Sequence, residues 1–314
     1  MVYHIPRCEV VPLECLAASF RVDGREVTRW NWDPVHRRPF FYPLRGPVSG
    51  ESLTRIGHPG APNHDHHRSI WFAHAKVLGI DFWSENTPAV IRQERWLVYE
   101  DGDEAARMAV QLGWYDGHDP APLIEQELVA VLTPLPENEY TLELHSTFVP
   151  RSGSVELQQT NFGCLAVRVT KSLSAHFGGG ELTGSDGRTG EPALFALPNR
   201  WMDYSGPMPF LLPDLSRGRT FEGITYIDHP HNPGFPAKWH VRADGWMGAA
   251  LCLDTGRSIT RETPLVLRYL LHVHRGPVDR VKAEAVADQW QSTPGYRVVR
   301  STQPHRQFAI ERTS

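Results

Sequence analysis

Apolar and polar positions alternate along most of this chain. In YTLELHSTFV, residues 140–149, Tyr140, Leu142, Leu144 and Phe148 fall on one face and Thr141, Glu143, His145 and Thr147 on the other, the period of two expected of a strand buried on one side. In LVLRYLLHVH, Leu265, Leu267, Tyr269, Leu271 and Val273 oppose Arg268, Leu270, His272 and His274. Similar runs rich in Val, Ile, Trp, Tyr and Phe recur between Gly, Pro, Asp and Asn punctuation, among them EVTRWNW, RPFFYPLR, RSIWFAHAKVL, AVIRQERWLVYE, RMAVQLGWYD, LIEQELVAVL, CLAVRVT, FEGITYID and WMGAALCLD. That rhythm predicts an all-β, antiparallel protein. Only PVDRVKAEAVADQW, residues 277–290, has helical spacing, with Pro277 suited to a first turn. No fixed-period repeat or low-complexity linker divides the chain, so one domain is expected over residues 1–314, with few helices and a short C-terminal one near 277–290. Two long connections are expected, over 177–194 and 204–219: the composition of GGGELTGSDGRTGEP is compatible with disorder, whereas the aromatics and leucines of WMDYSGPMPFLL argue for order.

Composition narrows the function classes. Of 314 residues, 40% are hydrophobic and 22% charged, an ordinary globular balance, and no apolar run is long enough to span a bilayer. The first twenty residues, interrupted by Arg7, Glu9 and Glu14, do not read as a signal peptide. Cys8, Cys15, Cys164 and Cys252 form no CxxC pair, and free thiols in a cytoplasmic protein are expected. With a formal charge of −4 and no Lys/Arg block, nucleic acid is not an expected partner. GxGxxG, Walker and GxSxG patterns are missing as well, which removes the usual sequence support for nucleotide binding and serine hydrolysis. The compositional anomaly is sixteen histidines, side chains whose charge changes near neutral pH.

Four of them lie in NHDHHRSIWFAH, residues 63–74, after the Gly/Pro-rich GHPGAP. As an extended segment, this places His64, His66 and Arg68 on one side and His67 on the other; as a helix, His64, His67, Trp71 and His74 form one stripe. Either arrangement supplies several nitrogen donors within a short span, so His64, His66 and His74 are candidate ligands for a divalent metal, with His240 an alternative third. LGIDFWSEN then sets Asp81 beside Gly79 and amid Ile80, Phe82 and Trp83, a carboxylate among aromatic faces that suits a sugar. NRWMDYSGP contributes Trp201, Asp203 and Tyr204, and the proline-stiffened IDHPHNPGFPAKWHVR contributes His229, His231, Asn232, Trp239 and His240. The Arg268, His272 and His274 ladder fits a cleft wall or the polar outer face of an edge strand.

RPFFYPLRGPVSGESLTR, HDHHRSIWFAHAKVLGIDFW, RWMDYSG, DHPHNPGFPAKWHVR and LRYLLHVHRG together resemble the soluble bacterial family labelled methane oxygenase PmoA, in order from about Arg38 to Arg275. In that family Gly commonly follows His-His-Arg and Asn-Gly precedes Asp-Phe-Trp; here Ser69 and Leu78-Gly79 stand in those places, departures that predict altered loop shape. The label does not suit this chain, since particulate methane oxidation uses a membrane-embedded subunit. The resemblance implies a β-supersandwich similar to galactose mutarotase, and saccharide catabolism alongside a sugar dehydrogenase.

Three functions follow as expectations. The first is a carbohydrate epimerase, lyase or hydrolase acting on a sugar or keto-sugar. In it His66, His67, His240, Asp81 and Glu262 serve as acids and bases, Arg68 fixes an oxygen, Trp83 and Trp239 stack on the ring, and Trp201, Asp203, Tyr204, His229, Asn232, Arg268 and His272 bind substrate. The second is a metal-dependent enzyme built on the histidine cluster, and the third a non-catalytic sugar-binding protein.

Overall fold

The computed structural model describes residues 4–57 and 64–313. The GHPGAPN segment, 58–63 with its neighbours, that precedes the histidine run therefore lies largely outside the described residues. The chain begins with β1 (Cys8–Leu13), β2 (Ala17–Val22), β3 (Arg25–Asn31), β4 (Phe40–Leu44) and β5 (Ile70–His74). A meander of longer strands follows: β6 (Val90–Glu100), β7 (Ala106–Tyr115), β8 (Ile124–Pro134) and β9 (Tyr140–Pro150). Next come β10 (Ser154–Leu157), β11 (Gly163–Arg168), β12 (Glu181–Gly184), the short helix α1 (Glu191–Leu194), β13 (Trp201–Leu211) and β14 (Arg217–Asp228). The last part holds β15 (Trp239–Arg242), β16 (Trp246–Ala249), β17 (Arg257–Thr260), β18 (Leu265–Arg275), helix α2 (Arg280–Gln291), β19 (Tyr296–Arg300) and β20 (Phe308–Arg312).

Two eight-stranded sheets result, one ordered β1-β2-β3-β4-β5-β11-β16-β15 and the other β12-β13-β14-β18-β9-β8-β7-β6, with antiparallel pairing in both. They face each other as a β-sandwich. The inner face of the first sheet gives Phe41, Ile70, Phe72 and Val167 to the core, and that of the second gives Leu144, Tyr226, Tyr269 and Leu271. Period-two alternation leaves each sheet an outer face, and the two outer faces are finished differently. The second sheet is covered: α2 packs Ala283, Ala287 and Trp290 on Trp201, Ile227 and Leu270, while the β19–β20 hairpin packs Tyr296 and Ile310 on Ala109, Val129 and Val131. The first sheet carries Phe40, Trp71, Ala73, Ala166 and Trp246, joined by Trp83.

Several expectations shift in detail. The helix starts three residues later than Pro277, because Asp279 is the N-cap and accepts from the backbone of Val281 and Lys282. The 204–219 segment is a long hairpin, since β13 and β14 pair from Trp201↔Ile227 to Leu211↔Arg217. Pro207 and Pro209 fit there because β12 pairs only with Met202 to Ser205, leaving the rest of β13 as an edge. The 177–194 stretch contains β12 and α1. Cys8, Cys164 and Cys252 are buried and Cys15 exposed, all as free thiols. Among the described residues no helix is long and apolar enough to cross a membrane.

Candidate functional site

The outer face of the first sheet gathers the histidine run. After Arg68, strand β5 sends Trp71 and Ala73 outward, and β16 places Trp246 beside them. Trp71, Trp83 and Trp246 form a triangle with ring centroids 5.1–5.7 Å apart. His67 lies on Trp246 at 5.8 Å, nearly parallel, and edge-on to His66 at 4.3 Å; His64 closes the group 5.1 Å from His67. From β15, His240 meets Trp246 at 5.3 Å, and Phe162 bridges His240 and Trp83.

Arg38 ties the two loops of this site together. Its buried guanidinium donates to the carbonyls of His66 and Ser84, both at 3.0 Å. Glu85 lies 3.7 Å from Arg38 and 3.6 Å from Arg68. Asp81 accepts from the backbone N–H groups of Trp83 and Ser84 at 2.7 and 3.1 Å, the Asx-turn bracket that holds Trp83 in place. A cavity of about 330 Å³ opens here, lined by Asp65, His66, Asp81, Ser84, Glu85 and Asn86.

Leu78 and Gly79 make the turn before Asp81, with φ of 51° and 81° and reciprocal backbone hydrogen bonds between Val77 and Ile80. Two left-handed residues in a two-residue loop define a type I′ turn, for which Asn-Gly is the preferred pair. The turn keeps that shape despite Leu78, whose Cβ disfavours the conformation. Ser69 likewise sits at φ 64°, with its hydroxyl donating to Thr54 at 2.7 Å. Leu78→Asn is expected to raise stability by about 1 kcal/mol, read as a higher urea midpoint; an unchanged or lower midpoint would contradict the turn assignment.

Electrostatics separate the imidazoles. Burial pushes His67 well below the ordinary histidine range, and the neighbouring His66 and Arg168 reinforce the shift. Burial also pushes His240 down to about 4, partly offset by a hydrogen bond to the carbonyl of Asn161. Both rings are therefore neutral at pH 7. Nδ1 of His240 stands 3.0 Å from that carbonyl, so it carries the proton and Nε2 is left as a bare acceptor. Five buried nitrogens of this patch have no hydrogen-bond partner among the described residues: Nε1 of Trp71, Trp83 and Trp246, Nδ1 of His67 and Nε2 of His240.

The remaining candidates do not meet this site. His74, alternating with Ala73, points to the other side of β5, and its Nε2 faces the carbonyl of Gln158 at 3.0 Å. The triad His64, His66 and His74 is thus not assembled, and among the described residues no group of three or more His, Cys, Asp or Glu is placed to hold a metal. Glu262 is exposed in the turn between β17 and β18, away from the cluster. Trp239 lies in the core against Tyr226, donating to the carbonyl of Asn199, so it cannot stack on a ligand. Tyr204 is also a core residue, its hydroxyl bonded to the backbone of Ala175, Arg242 and Ala243.

Trp201, Asp203, Arg268 and His272 belong by strand alternation to the covered outer face of the second sheet, and His229 and Asn232, in the loop after β14, join Arg268 there. Trp201 donates to Glu284 of α2 at 2.9 Å. Asp203 accepts from Thr225 at 2.7 Å and pairs with His274 at 2.8 Å. Arg268 contacts His229 and Glu143 and lies over Trp290; Asn232 brackets Asp228 and the Arg268 backbone. His272 faces Glu139, which Lys282 of α2 also reaches. These are the paired charges that a polar sheet face needs when a helix buries it. β18 is accordingly central in its sheet, not an edge.

Sequence reasoning missed Arg38, Phe162, Glu85 and Trp246. Glu85 lay inside LGIDFWSEN, a motif already singled out, while the others are distant in sequence and joined only by the β4, β5, β11, β16 order.

Fold and site define a two-sheet antiparallel sandwich with a buried aromatic and histidine cluster on one outer face, beside a polar cavity lined by His66 and acidic side chains. The chain belongs to a family of unknown function (DUF6807), whose family model matches residues 17–288. Comparison with curated proteins gives no match. Among solved structures, a 4-alpha-glucanotransferase from Thermococcus litoralis is similar over 87% of this chain, at 8% identity and a TM-score of 0.30. The chain spans 40% of that protein, and a likeness this loose carries no argument about function.

Proposed function

We propose that the recess on the first sheet binds a saccharide and moves a proton at, or beside, its anomeric or keto carbon, as an epimerase, lyase or hydrolase. The observation that supports this reading is the set of five partnerless buried nitrogens in the ring cluster that packs, through His67 and Trp83, behind the cavity-lining His66. Each unpaired buried group costs roughly 1–3 kcal/mol, and a ligand rich in hydroxyls, both donor and acceptor, offsets that cost. The exposed Phe162 face suits the C–H surface of a sugar ring, with the buried indoles packed behind it. His66, on the cavity wall, is the candidate acid or base, with Asp81 or Glu85 as its carboxylate counterpart. The neutral His240 offers its bare Nε2 to a hydroxyl, and Arg68 holds an oxygen near Glu85. The resemblance to the family labelled methane oxygenase PmoA points to the same substrate class.

A panel of monosaccharides, titrated by tryptophan fluorescence and followed for turnover by NMR, tests this. Trp83→Phe and Trp246→Phe keep the apolar bulk but remove an N–H, so each is expected to weaken binding about tenfold, the equivalent of one hydrogen bond. Trp201→Phe, beneath α2, should leave affinity unchanged. Equal sensitivity at all three positions, or no saturable response to any sugar, would defeat the proposal; saturation without turnover at any pH would reduce it to sugar binding.

A further inference from the structure

We infer that a cavity under the proline-rich loop between β14 and β15 is a second binding site, for a small carboxylic acid. It shares no lining residue with the cavity beside His66, and the inference does not depend on the saccharide reading. Both sheets wall it: Asp228 ends β14 and Tyr269 pairs with it on β18, Ala249 ends β16, and Arg257 opens β17 from the side. Its volume is about 130 Å³. At the ~30 Å³ that a water takes in the liquid this is room for about four, so a ligand has on the order of five heavy atoms.

Two lining groups are left without a partner. Tyr269 is 1% exposed, yet its hydroxyl makes no hydrogen bond to a described residue and is not sealed in the core either, so what it meets is the cavity. Arg257 forms no ion pair among the described residues, and only its Nε approaches a carbonyl, that of Leu251 at 3.5 Å. Gly234, at φ 84°, lets this guanidinium lie against the loop, since a Cβ there would stand 3.1 Å from Nη2. The guanidinium faces inward: burial raises the Cys252 thiol to about 11, and the charge of Arg257 opposes that rise. The other charges are spent. Lys238 pairs with Asp254 at 2.7 Å. Asp228 accepts from the N–H groups of His229, Asn232 and Ala237, and burial raises its carboxyl to about 7, so below that pH it is mostly neutral. A carboxylate answers what remains: its oxygens match the fork of Arg257, and in so small a space an oxygen of the same molecule also accepts from the Tyr269 hydroxyl. A neutral polyol would leave the guanidinium unpaired, and a cation would be repelled by it.

Calorimetric titration at pH 6.5 with sodium acetate, glycolate and lactate, against sodium chloride and glycerol, provides the test. At least one acid is expected to bind saturably and about tenfold or more tightly than chloride or glycerol. Arg257→Met should weaken that acid about tenfold or more, and Tyr269→Phe about fivefold. Because the hydroxyl bonds nothing in the protein, the urea midpoint of Tyr269→Phe should stay at the parent's value. Trp83→Phe, in the other site, should bind the acid as the parent does. No saturable binding by any acid would mean a water-filled cavity and overturns the inference, as does chloride or glycerol binding equally tightly. A lowered urea midpoint for Tyr269→Phe would place the hydroxyl in the core's own network, and an equal loss in Trp83→Phe and Arg257→Met would place the acid outside this cavity; either result also overturns it. None of these failures touches the saccharide reading.

Discussion

Replacing Arg38 with methionine is expected to destabilise the protein by about 3–5 kcal/mol, the usual cost of removing one partner from a buried charged network. Three groups lose their contact at once: the carbonyls of His66 and Ser84, each receiving a hydrogen bond of 3.0 Å, and Glu85 at 3.7 Å. Desolvation already works against this guanidinium, pulling it down to about 10, yet it remains charged at neutral pH, and its contacts must offset the burial. The two carbonyls belong to different loops, those carrying the histidine run and Trp83, so the same substitution should release both halves of the recess. Arg38→Lys keeps the charge but loses the planar fork that reaches both carbonyls, and an intermediate loss is expected. Urea unfolding of the three proteins, with sugar titration of whichever stay folded, checks this. A methionine variant within about 1 kcal/mol of the parent, well below the cost expected for a buried network, would show that Arg38 does not hold the site together.

The uneven legibility of this chain has a physical origin. Strand alternation was readable because one face of each strand must be apolar, and the facing sets of β9 and β18 follow the pattern of Tyr140, Leu142 and Leu144 and of Leu267, Tyr269 and Leu271. The same pattern says nothing about what covers the polar face. Arg268, His272 and His274 fit a cleft wall in sequence, yet the covered face of the second sheet buries them as paired bedding against Glu143, Glu139 and Asp203. His66, His67, Asp81, Trp83 and His240 do come together, because β5, β11, β16 and β15 are neighbours in one sheet. Trp239 and His240 illustrate the limit: adjacent residues on one strand point to opposite faces, so a motif read as a unit is split between core and recess. Arg38 was beyond reach for another reason, since its role depends on two loops whose meeting only the tertiary structure defines.

Acid should unfold this protein at about pH 5, with the uptake of several protons. Burial pushes His74, His145 and His240 down to about 4 and His229 to about 3, and His67 further still. In the unfolded chain each titrates near the ordinary histidine value of about 6.5. Above that pH neither state binds the protons and stability is at its full value; as pH falls from 6.5 toward 4, the unfolded chain takes up protons that the native rings refuse. Each such histidine then costs about 1.4 kcal/mol per pH unit. Asp228 acts in the opposite sense: burial raises its carboxyl to about 7 despite three N–H donors, so the native state gains a proton between about 7 and the ordinary aspartate range. His274, raised by Asp203, contributes below 6.5 a stability that is lost only at higher pH, and so adds no slope to this window. Five protons against one leave a slope of roughly 5 kcal/mol per pH unit, enough to exhaust a typical domain stability of about 5–15 kcal/mol within two or three units. Urea midpoints recorded from pH 7.5 to 5 should fall steeply below 6.5, and His74→Gln, which removes one buried imidazole, should flatten the slope by about one proton's worth. Stability that stays level down to pH 5 would mean that these rings are not held neutral by the fold, and the neutral acceptor assigned to His240 would lose its basis.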